Sequence, residues 1–335
     1  MLKKSIFIKS TIVNIFSYIF LLFLLIITSC NKGVNNTEDE EWKRNSNLIP
    51  LTYPRTVGYG INYNCPVFKP TNDFLYVISN YISGDSIGSL SNGVLLSSVS
   101  VFNPQSLIKG DIGFITLSTN GSELVFIDSL KNNISGNLYI FNIQTQIKEP
   151  IETGLKAVYS AKFMSGDTTL IIYGEGMTSN LPRGYYFFSR YNNKLKLLFA
   201  EPFGYFGFDI SPDGKNLIYP QPIKYSIRNL ETNTVKTGEV YAEWLAYSPD
   251  GEKIVYSDNS LNRYLPSNVG IIDVETGKVT KLDVNLISPK EGGTYASYFS
   301  WSSDRKYLAF SVVPIVDAKP LGPNDIWLLK QNKSF

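Results

Sequence analysis

Histidine is absent from the 335 residues of this chain. Its absence excludes a Ser-His-Asp or Cys-His nucleophile, a His general base and any zinc or iron site that needs imidazole. Cysteine is nearly absent. Cys30 and Cys65 are the only two, so neither a disulfide framework nor a four-cysteine metal site can be built. Charge of one sign is lacking as well. Lys and Arg number 31 against 29 Asp and Glu, and three of the lysines (Lys3, Lys4, Lys9) stand in a leader with no acid. The rest is close to neutral and offers no electrostatic case for a DNA or RNA partner. Charged residues make up only 18%, too few for a disordered chain, while 43% hydrophobic and 14% aromatic residues can fill a large core. Carboxylate, Tyr, Lys and Arg chemistry remains open.

The one long apolar run is at the start. After the basic stretch Met1 to Lys9, Ile15 to Ile27 is interrupted only by Ser17, which is short of the roughly 20 residues a bilayer span needs. The run closes on Ile27-Thr28-Ser29-Cys30. This resembles the lipobox of bacterial lipoprotein precursors. The resemblance implies a signal peptide over residues 1–29 and a diacylglyceryl group on the Cys30 thiol; the alternative is an uncleaved signal anchor with an incidental Cys. Several acyl chains on one residue provide stable membrane anchoring, and Cys65 is then the only free thiol. Residues 30–46 are polar, rich in Asn and aperiodic, as expected of a flexible tether. Their acidic run Glu38-Asp39-Glu40-Glu41 is similar to the surface-export signal of Bacteroidetes lipoproteins, although it stands further from the Cys; a solvated linker has the same composition. The expected address is the cell envelope, lipid-anchored, at the outer membrane.

The remainder repeats itself. Ile210-Ser211-Pro212-Asp213-Gly214-Lys215-Asn216-Leu217-Ile218-Tyr219 returns at Tyr247 to Tyr256 and again at Trp301 to Phe310, with weaker copies at Phe68, Leu117 and Phe163. The anchors at 68, 117, 163, 210, 247 and 301 recur about every 47 residues. Each copy reads as a β-hairpin: an apolar strand, a turn in which Pro presets φ and Gly supplies positive φ, then a β-branched and aromatic strand. The Asp of each turn is read as turn chemistry rather than catalysis. A second hairpin follows, seen in Asp273 to Val279, Asn229 to Val235 and Asn142 to Ile147. Two hairpins per repeat make a four-stranded antiparallel unit, the length and content of a propeller blade. The expected fold is therefore all-β, a six-bladed β-propeller over residues 47–335. The sixth repeat has room for only three strands before the chain ends. Residues 48–57 are expected to supply the fourth and close the ring, since closure removes a long open edge.

Ser-Pro-Asp-Gly between an aromatic-ended strand and an Ile/Leu-x-Tyr/Phe strand resembles the WD-like repeat of TolB-type six-bladed propellers, and related repeats occur in prolyl oligopeptidase-type propellers. The resemblance covers nearly the whole chain after the tether. It implies a protein-interaction role at the envelope. The extra N-terminal domain of TolB has no counterpart expected here, so that family's specific partners are not carried over.

Blade topology puts the repeated turns at one end and the longer connections at the other: 80–93, 128–136, 174–184, 257–268 and 313–324, with 200–207 and 285–294. Variable loops on a rigid ring are where function is expected. Arg183, Tyr205, Phe206, Arg263 and Tyr264 fall in or beside them and are the candidate binding residues, aromatics and Arg being common in interface hot spots; packing between blades is the alternative for Tyr205 and Phe206. Acids at the same end could hold a calcium ion, which prefers oxygen ligands, though no spaced acidic loop is present. Three classes stay open. The first is a non-enzymatic lipoprotein whose ring binds a protein, peptide or glycan. The second is a metal-dependent carboxylate enzyme resembling the gluconolactonase-like propellers. The third is a structural member of an envelope complex. The first is the expectation.

Overall fold

A computed structural model describes residues 43–52, 60–71, 73–81, 93–98, 105–110, 112–131, 135–176, 181–202, 207–258, 265–321 and 324–331. The expected signal peptide over residues 1–29 and the expected lipidation site Cys30 lie outside these described residues. All regular structure among them is β-strand.

Six strands end on the six repeat anchors: Gly60–Phe68, Ile115–Leu117, Leu155–Phe163, Asp209–Ile210, Trp244–Tyr247 and Gly293–Trp301. Each opens an antiparallel blade. In blade one it is followed in spatial order by Asp73–Tyr81, Gly93–Ser98 and Gln105–Lys109, and blades two to five repeat that order. Blades two and three touch through a bridge between Gly136 and Val158.

The second strand of a blade explains the apolar runs. Successive side chains point to opposite faces, and here both faces are covered. In blade two, Leu124 and Phe126 pack with Leu75 and Cys65 of blade one, while Val125 and Ile127 pack with Leu170 and Ile172 of blade three. Ile171 and Tyr173 of blade three meet Leu217 and Tyr219 of blade four. Ile218 meets Ile254 and Tyr256 of blade five, and Val255 meets Leu308 and Phe310 of blade six. Ala309 and Leu328 of blade six then pack against Phe68 and Phe74 of blade one. Six interblade cores thus run round a closed ring.

Blade six closes as expected, with residues 53–57 of the expected segment outside the described residues. Its own strands are Gly293–Trp301, Tyr307–Val316 and Asp325–Lys330, and the fourth is Leu48–Pro50, paired Leu48↔Leu329 and Pro50↔Trp327. Leu51 N donates to the Ile326 carbonyl at 2.9 Å, and Thr52 Oγ1 donates to Asp325 Oδ1 at 2.8 Å. Leu48 is buried in the core between blades five and six and Leu51 in the core between six and one. The 313–324 connection is more regular than its sequence suggests. Val313-Pro314-Ile315-Val316 extends the strand, and the left-handed pair Asp317 and Ala318 turns it back into Lys319–Pro320.

The turns are built alike. In blade five, Gly251 has φ 75° and its N–H donates to the Ser248 carbonyl at 2.9 Å. Asp250 Oδ1 accepts the Ser248 hydroxyl at 2.5 Å and the Glu252 N–H at 3.1 Å. Asp213 and Asp304 do the same in blades four and six, and Asn120 replaces them in blade two. One carboxylate oxygen of each turn aspartate is thus consumed by turn geometry.

Two outcomes follow. Leu48→Ala lowers unfolding free energy by about 2 kcal/mol or more, read from the urea midpoint, whereas Ile49→Ala on the exposed side changes it by under about 1 kcal/mol. The second concerns acid. The Ser211 and Ser302 hydroxyls hold Asp213 and Asp304 below the usual carboxylate range; burial raises Asp250, but the Ser248 hydroxyl, the Glu252 N–H and Arg305 together hold it below that range as well. A depressed folded pKa contributes stability that is complete above the unfolded value and lost as pH falls through the folded one. Melting temperature therefore drops as pH falls below about 4. The triple variant Asp213→Asn, Asp250→Asn, Asp304→Asn, with the acceptor that Asn120 already supplies, folds and shows a shallower acid limb.

Candidate functional site

The space enclosed by the inner strands is narrow. One segment from every blade lines it, and its volume is ≈ 40 Å³. Such a space holds a few waters, whereas small-molecule pockets run from about 300 to 1,000 Å³. Two equivalent irregularities help fill it. Register shifts at 64/67 and 297/300 leave Cys65 and Tyr298 with φ 50° and 54°, and each stands three residues before its anchor. Tyr298 packs against Trp244 with ring centroids 4.0 Å apart. The Cys65 thiol is 3.3 Å from the Gly113 carbonyl, and burial pushes its pKa up, so it is a thiol rather than a reactive thiolate. Lys162 lines the same space and is 3.0 Å from Asp209 Oδ1, whose Oδ2 accepts the Tyr247 N–H at 2.8 Å. Among the described residues no carboxylate lines the space itself, and no group of three or more acidic or Cys side chains suited to a metal ion stands together.

At the long-loop end Asp128, Asp258 and Glu201 are engaged locally. Asp128 is buried and paired with Lys148, whose ammonium lies 4.1 Å from the Tyr139 ring centroid. Asp258 Oδ2 accepts Asn268 Nδ2 at 2.8 Å. Glu201 is buried; its Oε2 is 3.3 Å from Gln221 Nε2, and its carbonyl accepts the Tyr173 hydroxyl at 3.2 Å.

Arg183 is the one candidate binding residue that lies among the described residues. It precedes the strand Gly184–Ser189 and reaches back across blade three. Its guanidinium donates to Glu175 Oε2 at 2.7 and 3.1 Å and to the Tyr159 hydroxyl at 2.7 Å, and it lies 4.9 Å from the Tyr159 ring centroid. Tyr159 in turn donates to Glu175 Oε2 at 3.1 Å. The Arg183 hydrogen bond holds the Glu175 carboxyl below its ordinary range, and burial raises the Tyr159 phenol. The Arg183 side chain remains 42% exposed, so this ion pair is both a brace and an accessible cation. Tyr205, Phe206, Arg263 and Tyr264 lie outside the described residues, and their convergence with Arg183 stays a sequence expectation.

Sequence reading missed the aromatic column behind this cluster. Tyr159 contacts Tyr173 at 5.6 Å, Tyr173 contacts Tyr185 at 4.9 Å, and Tyr185 contacts Tyr219 of blade four at 5.4 Å between centroids. The available signal was Tyr recurring on neighbouring strands, but only their pairing puts the rings in one stack.

By sequence the chain matches no known family and no curated protein. Its fold does have solved counterparts. TolB from Acinetobacter baumannii superposes with a TM-score of 0.50 at 14% identity, over 84% of this chain and 66% of that one, so the match spans just under two thirds of TolB. An oligogalacturonate lyase in complex with manganese superposes with a TM-score of 0.50 at 12% identity, over 87% of this chain and 99% of that one. A Mycobacterium tuberculosis puromycin-hydrolyzing peptidase gives 0.52 at 16% identity, over 78% and 44% respectively. At these identities the likeness is one of β-propeller fold, shared by a binding protein and by enzymes.

The brace makes a limited demand on stability. Arg183→Ala is expected to change unfolding free energy by no more than about 1 kcal/mol, as for exposed ion pairs generally. In the same variant the Glu175 carboxyl titrates closer to its ordinary range, which carboxyl NMR checks.

Proposed function

We propose that the chain is a lipid-anchored lipoprotein of the bacterial envelope, held at the outer membrane through Cys30, whose propeller binds a protein, peptide or glycan at its long-loop end without transforming it. The observation that carries this reading is the axial space of ≈ 40 Å³. A substrate cannot be enclosed there, so recognition falls to the ends of the ring. Two further points support it. Asp128, Asp258 and Glu201 at the long-loop end are engaged by protein partners, and exposed Arg183 is braced by Glu175 and Tyr159 at little entropic cost to a partner that meets it. The fold likeness to TolB is consistent with an envelope address. The lipobox Ile27-Thr28-Ser29-Cys30 and the Asn-rich tether support the anchor, and the acidic run after Cys30 supports a Bacteroidetes source.

Arg183 with Arg263 can meet carboxylate or phosphate groups, and Tyr205, Phe206 and Tyr264 can provide apolar contact area. Crosslinked capture from envelopes of the native host, set beside a glycan array, tests the reading. The double variant Arg263→Ala, Tyr264→Ala is expected to weaken the captured interaction by about 2 kcal/mol or more with little change in melting temperature. A partner bound equally well by the variant would move the site elsewhere on the ring. Chemical conversion of the captured partner by the purified protein would overturn the non-catalytic reading.

A further inference from the structure

The opposite end of the ring, where the repeated turns lie, holds a second opening between blades four and five. Its volume is ≈ 320 Å³, within the range of about 300 to 1,000 Å³ typical of small-ligand pockets. Blade four contributes Asp213, Asn216, Ile227 and Lys236 to its walls, and blade five contributes Tyr247 and Val274. This pocket is a product of the repeat, because two consecutive turns and the blade face between them form it.

Local pairing uses one atom of each polar group and leaves another. Asp213 Oδ1 accepts the Ser211 hydroxyl at 2.5 Å and the Lys215 N–H at 3.0 Å, while Oδ2 has no partner among the described residues. Asn216 Oδ1 accepts Asn229 Nδ2 at 3.3 Å, which leaves the Asn216 amide donors unused. Lys236 is exposed and makes no ion pair among the described residues. Tyr247 is only 7% exposed, and its hydroxyl, itself buried, has no hydrogen-bond partner among the described residues. Buried hydroxyls are rarely left so.

Charge narrows the ligand class. Asp250 is already taken by Arg305, so one free carboxylate oxygen and one free ammonium remain. An anion meets Asp213 and a cation meets Lys236. A neutral molecule whose hydroxyls each donate and accept can satisfy both, along with the Asn216 amide. Ile227, Val274 and the Tyr247 ring add an apolar strip that suits the C–H face of a sugar ring.

We propose that this turn-end pocket binds a neutral saccharide, with Asp213 accepting and Asn216 and Lys236 donating hydrogen bonds to its hydroxyls over the Ile227 and Val274 strip. The site is independent of the long-loop end and stands or falls separately from it.

The full chain, kept in a detergent without a sugar headgroup, is titrated by calorimetry and by ligand-observed NMR with maltose, cellobiose, lactose and diacetylchitobiose. Glycylglycine and glutamyl-lysine serve as zwitterionic comparators. Binding of at least one disaccharide is expected, weakened about tenfold by Lys236→Ala and by Asn216→Ala, the size of one lost hydrogen bond. Lys236 is exposed and makes no ion pair among the described residues, so Lys236→Ala leaves the melting temperature unchanged and the fold preserved. Failure of every disaccharide to bind overturns the proposal. So does binding unmoved by both variants, or preferential binding of the dipeptides, which would reassign the pocket to a zwitterion.

Discussion

The structure depends on one constraint: the second strand of every blade is buried on both faces by two different neighbours. Leu124 and Phe126 belong to one interblade core while Val125 and Ile127 belong to the next. A blade alone would expose both faces of that strand, and two blades would still leave outer faces bare. The arrangement is satisfied when the last blade meets the first, as Ala309 and Leu328 meet Phe68 and Phe74. Ring closure is thus a demand of the hydrophobic effect acting on alternate residues.

That demand explains the division of labour within the chain. Leu48–Pro50 comes from before the first repeat because the sixth blade lacks an outer strand, and it places Leu48 and Leu51 in cores on either side of blade six. The same closure draws the inner strands together and fills the axis with Cys65, Trp244 and Tyr298. With the axis filled, the usable surfaces are the two ends of the ring. The long-loop end offers a braced cation at Arg183. The turn end offers a polar pocket made from the same Ser, Asp and Gly residues that fold the hairpins.

Turn aspartates illustrate how structural and functional roles can share one residue. Asp213 and Asp250 stand in the same position of consecutive repeats and bind their Ser hydroxyls in the same way. Their second oxygens differ: Asp250 Oδ2 goes to Arg305, and Asp213 Oδ2 makes no hydrogen bond or ion pair among the described residues. Identical local sequences therefore leave different chemistry on the surface, according to what the neighbouring blade brings.

Local sequence was enough for the blades. The spacing of Phe68, Leu117, Phe163, Ile210, Tyr247 and Trp301, and the turn residues after them, act within a few residues of chain, so strand ends and turns could be read directly. The missing sixth outer strand followed from counting. The absence of His removed most nucleophilic and metal chemistry for the same reason: composition needs no coordinates. Tertiary structure decided what depends on residues far apart in sequence. Tyr159, Tyr173, Tyr185 and Tyr219 become one aromatic column only because blades three and four pack. Arg183 becomes a braced cation only because the first and second strands of blade three put Tyr159 and Glu175 beneath it. The width of the axis and the pocket between blades four and five are set by the spaces between side chains on different blades. Hydrogen bonding and turn preference act locally along the chain, whereas cavities and convergent charges are properties of surfaces that meet only when the ring has closed.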